Sequence, residues 1–173
     1  MTKALTPTIA LLRAVNVGGT GKLPMTELRS MADELGLANA RTYIASGNLL
    51  FDTDLDEAQV KTRLEERLHA FAGKPIGVMV RTAAEMAAVV AGNPFADCPG
   101  NRVIAIFLDD APPADALDDV RHQDGERLAL GRREIYVHYG DGMGTSRLVI
   151  PAAKAGTARN MNTAAKLAAL SIA

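Results

Sequence analysis

Two short stretches of the chain carry residue types suited to holding a small anion. The first is Asn16-Val17-Gly18-Gly19-Thr20-Gly21-Lys22, with Arg13 just before it. Its glycines let backbone N–H groups approach a ligand closely, and Lys22 adds a positive charge before a helix begins. The second is Arg159-Asn160-Met161-Asn162, where a forked guanidinium stands beside two asparagines, either of which suits the N-cap of a final helix. A phosphate or carboxylate there would meet uncapped N–H groups and the positive end of the helix dipole. A third candidate is Ser46-Gly47-Asn48, which places a hydroxyl and an amide on a turn. A plain connector, an ordinary capped helix and an ordinary turn are the bland alternatives for the same three stretches.

The glycine loop is neither of the two familiar nucleotide loops. A Walker A loop requires Gly where this chain has Asn16 and Ser or Thr where it has Leu23, and the dinucleotide fingerprint has a different glycine spacing. No catalytic residue and no cofactor are identified. Ser46 has no base visible in the sequence, and His69, His122 and His138 have no metal-ligand spacing to one another, to a carboxylate pair or to Cys98. Cys98 lies in a Pro-rich segment with no basic group near it in sequence, so it reads as a bystander thiol.

Charge singles out the same two ends. Of 19 basic and 20 acidic residues, residues 1–26 hold three basic and no acidic ones, and residues 142–173 hold four basic and no acidic ones. The remaining stretch therefore carries 12 basic and all 20 acidic residues, a net of −8. The leading reading is a module or enzyme that binds a small phosphorylated or carboxylated ligand at a site shared by the chain's two ends. The alternatives are nucleic-acid binding through the same basic ends, and a structural or homo-oligomeric interaction protein. Whether any reaction is catalysed stays open.

The elements that must position these residues follow from periodicity. With 48% apolar and 4% aromatic residues and no Trp, the core must rest on aliphatic side chains. Residues 8–15 begin as a buried strand, and Pro24 opens a helix through Met25, Leu28, Met31, Ala32 and Leu35, closed by Gly36. Strands at 41–46 and 49–52 are expected to form a hairpin about a two-residue Gly47-Asn48 turn. Asp54 with Glu57 is expected to cap a helix whose stripe is Val60, Leu64, Leu68 and Phe71, and residues 76–81 form a fourth strand. Thr82 with Glu85 caps another helix, ending at Gly92. Beyond a connector at 93–100, strands are expected at 103–108, 127–130 and 134–139, a short acidic helix at 112–120, and a final helix at about 162–170.

The order β-α-β-β-α-β is that of a ferredoxin-like unit. The expectation is an α+β protein of tandem ferredoxin-like units, the second degraded, plus a C-terminal helix, with units at 1–92 and 93–173. Strands apolar on both faces predict that the second sheet face is covered, by the other half or by a partner chain. One cysteine permits no internal disulfide and points to a cytoplasmic setting, and the longest strongly apolar stretch, six residues at 103–108, is far below the ~20 that a membrane helix needs.

A resemblance sharpens this. Leu11-Leu12-Arg13-Ala14-Val15-Asn16-Val17-Gly18-Gly19, Met25-Thr26-Glu27-Leu28-Arg29, Thr42-Tyr43-Ile44-Ala45-Ser46-Gly47-Asn48, Asn93-Pro94-Phe95 and Thr157-Ala158-Arg159-Asn160-Met161-Asn162-Thr163 resemble the motifs of the bacterial domain of unknown function 1697 family. The resemblance implies two ferredoxin-like units in tandem and implies no reaction. It departs at Ala14, where the family usually has Gly, and at Met161, where Trp is commoner. The first departure weakens any claim that the backbone at residue 14 needs a positive φ, and the second removes an aromatic that would stack on a ligand.

Overall fold

The structure is a computed structural model that describes residues 4–16 and 22–172. The elements are β1 (Thr6–Leu12), α1 (Met25–Glu34), β2 (Ala38–Thr42), β3 (Asn48–Thr53), α2 (Glu57–Ala72), β4 (Val78–Thr82), α3 (Ala83–Ala91), β5 (Val103–Phe107), β6 (Arg127–Leu130), β7 (Glu134–His138), β8 (Thr157–Asn160) and α4 (Met161–Ser171). The protein is α+β, with two four-stranded antiparallel sheets ordered β2-β3-β1-β4 and β6-β7-β5-β8. The chain divides into two compact units, one of residues 1–86 with 167–173 and one of residues 87–166. No helix among the described residues is long and apolar enough to cross a membrane.

In the first unit, alternation decides which face of the sheet meets the helices. Ala10 and Leu12 of β1, Leu49 and Phe51 of β3, and Val78 and Val80 of β4 share a core with Leu28, Met31 and Ala32 of α1 and Val60, Leu64 and Leu68 of α2. Each leucine buried this fully contributes about 1.5–3 kcal/mol. The intervening residues Ile9, Leu11, Leu50 and Arg81 are buried as well, so both faces of this sheet are shielded from water. Beside them, the Arg41 guanidinium donates to the Leu170 carbonyl at 2.5 Å, tying the last turn of α4 to β2.

Three local expectations are corrected here. β2 and β3 are paired neighbours, but a five-residue connection, 43–47, replaces the two-residue turn. The cap of α2 is Asp56, not Asp54: its carboxylate accepts from Gln59 N at 2.8 Å while Gln59 Oε1 accepts from Asp56 N at 3.1 Å. The reciprocal pair satisfies two donors, which an Asp54–Glu57 pair two residues earlier would not do for a helix beginning at Glu57. β1 ends at Leu12 because Ala14 and Asn16 both adopt φ +56, and a left-handed residue cannot continue a strand.

The second unit is built on β5, whose neighbours are β7 and β8. One face packs Ile106, Ile135 and Val137 against Leu108, Leu117, Val120, Leu148 and Ile150. The expected helix at 112–120 is absent. Turns replace it, held by bonds from Ala116 N to the Pro113 carbonyl and from Asp118 N to the Asp115 carbonyl, both at 3.0 Å. Two prolines and three aspartates in nine residues explain the failure, since prolines remove donors and aspartates bond to nearby backbone instead. Leu117 and Val120 still reach the core, so the apolar pattern survives without the helix. On the other face the Tyr136 hydroxyl donates to the Val89 carbonyl at 2.7 Å, anchoring the end of α3.

Candidate functional site

The strand-to-helix loop of the first unit is organised by one side chain. Asn16 Oδ1 accepts from Leu23 N at 2.7 Å, and its Nδ2 donates to the Leu23 carbonyl at 2.9 Å and to the Ala45 carbonyl at 2.7 Å. The amide thus mimics a backbone bridge and closes the base of the glycine loop. Gly18 and Gly19, which the sequence reading placed in the site, lie outside the described residues. Lys22 is exposed and, among the described residues, makes no hydrogen bond or ion pair. It immediately precedes Leu23 and the α1 N-cap, Pro24, which supplies no side-chain cap. Glu27 N and Leu28 N donate to the Pro24 carbonyl at 3.0 and 3.2 Å, which leaves the N–H groups of Met25 and Thr26 without an acceptor among the described residues, and Glu27 is the acid of that turn.

Arg13 is exposed, and its backbone N–H donates to the Gly77 carbonyl at 2.9 Å. Its side chain lies along Gly77: a Cβ there would be 3.7 Å from Arg13 Cβ and Cδ and 4.0 Å from Glu65 Oε2. Glu65 also accepts from Lys61 Nζ and Val78 N, each at 3.0 Å. A shallow cleft of about 250 Å³ opens here, lined by Glu65, Glu66, His69, Pro75, Ile76 and Gly77.

Ser46, Gly47 and Asn48 hold the β2–β3 connection to β1. Leu12 N donates to the Gly47 carbonyl at 2.8 Å, and Gly47 has φ +90. Asn48 is fully buried, and its Nδ2 donates to the Tyr43 carbonyl at 2.8 Å and to Ser46 Oγ at 3.0 Å.

At the C-terminal motif, Asn160 is the cap of α4, its Oδ1 accepting from Thr163 N at 2.8 Å. Asn162 is exposed one residue into the helix and packs so tightly on Gly100 that a Cβ there would fall 2.1 Å from its Oδ1. Arg159 is buried, with Nη1 donating to Thr157 Oγ1 at 2.8 Å and to the Ala158 carbonyl at 2.9 Å. Burial draws its basicity down to about 10. Arg13 belongs to the first unit and Arg159 to the second.

One cluster was not foreseen. Cys98, read as lacking a basic neighbour, has Arg127 Nη2 3.1 Å from its sulfur, and the same nitrogen is 3.5 Å from His138 Nδ1. The guanidinium carbon stands 4.9 Å from the centre of the Phe95 ring, and the Phe95 and His138 rings are 5.9 Å apart. Arg127 faces His138 across β6 and β7, a pairing that the expected hairpin already implied. The approach of Phe95 and Cys98 is non-local and left no trace in the sequence. Among the described residues, no three His, Cys, Asp or Glu side chains are placed to hold a metal ion.

These features define a class: an α+β protein of two antiparallel sheets, in whose first unit the half-buried Asn16 amide pins the β1–α1 loop while Gly47 and the buried Asn48 amide pin the β2–β3 connection. Residues 5–136 match the family described as Protein of unknown function (DUF1697), and the chain belongs to that family. A solved structure, that of the conserved bacterial protein SP0830 from Streptococcus pneumoniae, is similar in fold, with a TM-score of 0.76 and 24% identity over 97% of this chain and 99% of that one. No curated protein sequence matches.

Proposed function

We propose that the protein binds a small phosphorylated or carboxylated ligand at the loop between β1 and α1. The observation that carries the reading is the Asn16 clamp, which closes the loop on Leu23 and holds Lys22 beside the uncapped start of α1. An anion there would meet backbone N–H groups, the helix dipole and an ammonium that has no competing carboxylate partner among the described residues. The test is titration with inorganic phosphate, followed by backbone amide shifts. Shifts concentrated at residues 22–28, and weakened in Lys22→Ala by about 1.5–3 kcal/mol, support the reading. Shifts that leave this segment untouched refute it, and a steep salt dependence with polyanions would favour nucleic acid instead.

The same reading takes the two units as tandem ferredoxin-like folds, the second having lost both crossover helices, with turns between β5 and β6 and only short 3-10 segments between β7 and β8. Matching registers support it: Ile9 stands between Leu50 and Arg81, and Ala105 between Tyr136 and Arg159. In both units the arginine Nη1 turns back to the preceding carbonyl at 2.9 Å, Val80 in one and Ala158 in the other. Each of these strands then runs directly into a helix capped by its last residue, Thr82 or Asn160. A single thiol accords with a reducing, cytoplasmic setting.

A further inference from the structure

We propose that Arg127, seated on Phe95 and flanked by His138 and Cys98, is a second and separate binding site, for the oxyanion of a small molecule such as a phosphate monoester or a carboxylate. Arg127 opens the edge strand β6 and is exposed, while Phe95 beneath it is only 7% exposed. The contacts of the guanidinium are a thiol, an imidazole and an aromatic face, none of which carries a compensating negative charge. The two polar contacts engage Nη2 alone, so among the described residues Nε and Nη1 have no hydrogen-bond acceptor.

An open guanidinium edge accepts a carboxylate or phosphate through two parallel hydrogen bonds. Packing on Phe95 and the bond to sulfur hold the fork in one orientation, which lowers the ordering cost of binding. The turn that carries Phe95 and Cys98 is itself fixed, with Cys98 N donating to the Phe95 carbonyl at 2.9 Å and Phe95 N to Asn93 Oδ1 at 2.9 Å. The opposing charge is Asp97, whose Oδ1 lies 3.6 Å from the Cys98 sulfur but forms no ion pair with Arg127. A ligand oxyanion would approach from the Nε and Nη1 side, with His138 on its flank.

The one cysteine of the chain is a built-in reporter for this site. Alkylation of Cys98 is compared for iodoacetate, a small carboxylate, and iodoacetamide, its neutral counterpart. Any change in the nucleophilicity of the sulfur cancels in the ratio of the two rates, which leaves the recruitment of the anion. The ratio is expected to exceed that of an unstructured cysteine peptide several-fold, to fall to the peptide value in Arg127→Ala, and to be intermediate in Arg127→Lys, which keeps the charge but not the fork. Inorganic phosphate is expected to slow iodoacetate and leave iodoacetamide unaffected. A peptide-like ratio in the unaltered protein, or a raised ratio that both variants retain, overturns the proposal. Lys22→Ala is expected to leave the ratio unchanged, so this site and the loop of the first unit stand or fall separately.

Discussion

Gly47 lies so close to Leu12 that a Cβ at position 47 would meet the Leu12 Cβ at 2.8 Å and Val15 Cγ2 at 2.6 Å. Its φ of +90 adds a conformational demand that a side chain meets poorly. Gly47→Ala is therefore expected to lower stability by about 2–4 kcal/mol, through strain and displacement of a fully buried leucine. The midpoint of chemical denaturation measures it. A loss below about 1 kcal/mol would show that β1 and the turn can part without cost.

Ala14 makes the opposite case. With φ +56 it occupies the left-handed region despite its Cβ, which costs roughly 1–2 kcal/mol, so the positive φ that the Ala had made doubtful is present. Ala14→Gly removes that strain but adds freedom to the unfolded chain. The expected net gain is about 0.5–1 kcal/mol, seen as a higher denaturation midpoint. An unchanged or lower midpoint would mean that Ala14 is not strained.

Asn16→Asp separates the loop clamp from simple polarity. The acceptor for Leu23 N survives, but a carboxylate is turned toward the Leu23 and Ala45 carbonyls that now receive Nδ2. The variant is expected to lose about 1–3 kcal/mol of stability and, with the loop released, to lose phosphate shifts at residues 22–28. Retention of those shifts would sever the clamp from the binding reading.

Tyr136 supplies a pH signature. Burial, with Glu134 beside it, pushes its phenol up to about 12 from an ordinary value of 10. The unfolded chain releases this proton first, so the contribution is intact below pH 10 and is lost as pH rises toward 12. Two pH units correspond to roughly 2–3 kcal/mol. Tyr136→Phe is expected to show less loss of stability between pH 10 and 12 than the unaltered protein, at a cost near 1 kcal/mol at neutral pH from the Val89 bond. Parallel pH profiles of the two proteins would refute the assignment.

Arg159 tests whether a buried guanidinium is a burden. Its basicity falls because burial disfavours the charge. An apolar residue of similar length is then expected to be tolerated: Arg159→Met should hold or raise the denaturation midpoint, whereas Arg159→Ala leaves a cavity and should cost about 2 kcal/mol or more. Equal losses in the two variants would show that its hydrogen bonds to Thr157 and Ala158 outweigh the desolvation.

By itself the sequence determined what is local or periodic. The stripe of Val60, Leu64 and Leu68 on α2 (though not its expected fourth member, Phe71, which is exposed), the Thr82–Glu85 capping box and the paired strands of each hairpin were legible, because side chains three, four or two residues apart must share a face. The two acid-free ends were legible too, since charge is counted without a fold. Only the tertiary structure decided what the motif residues do. Asn16 reaches Ala45 across 29 residues, Gly47 is crowded by Leu12, and Gly100 yields its space to Asn162. It also turned the acidic segment near 115 into turns, and it brought Arg127 to Cys98 from 29 residues away. The physical reason is common to all of these: hydrogen bonds and steric contacts between distant segments depend on distances of a few tenths of an ångström. Composition and spacing along the chain do not encode those distances until the sheets have formed.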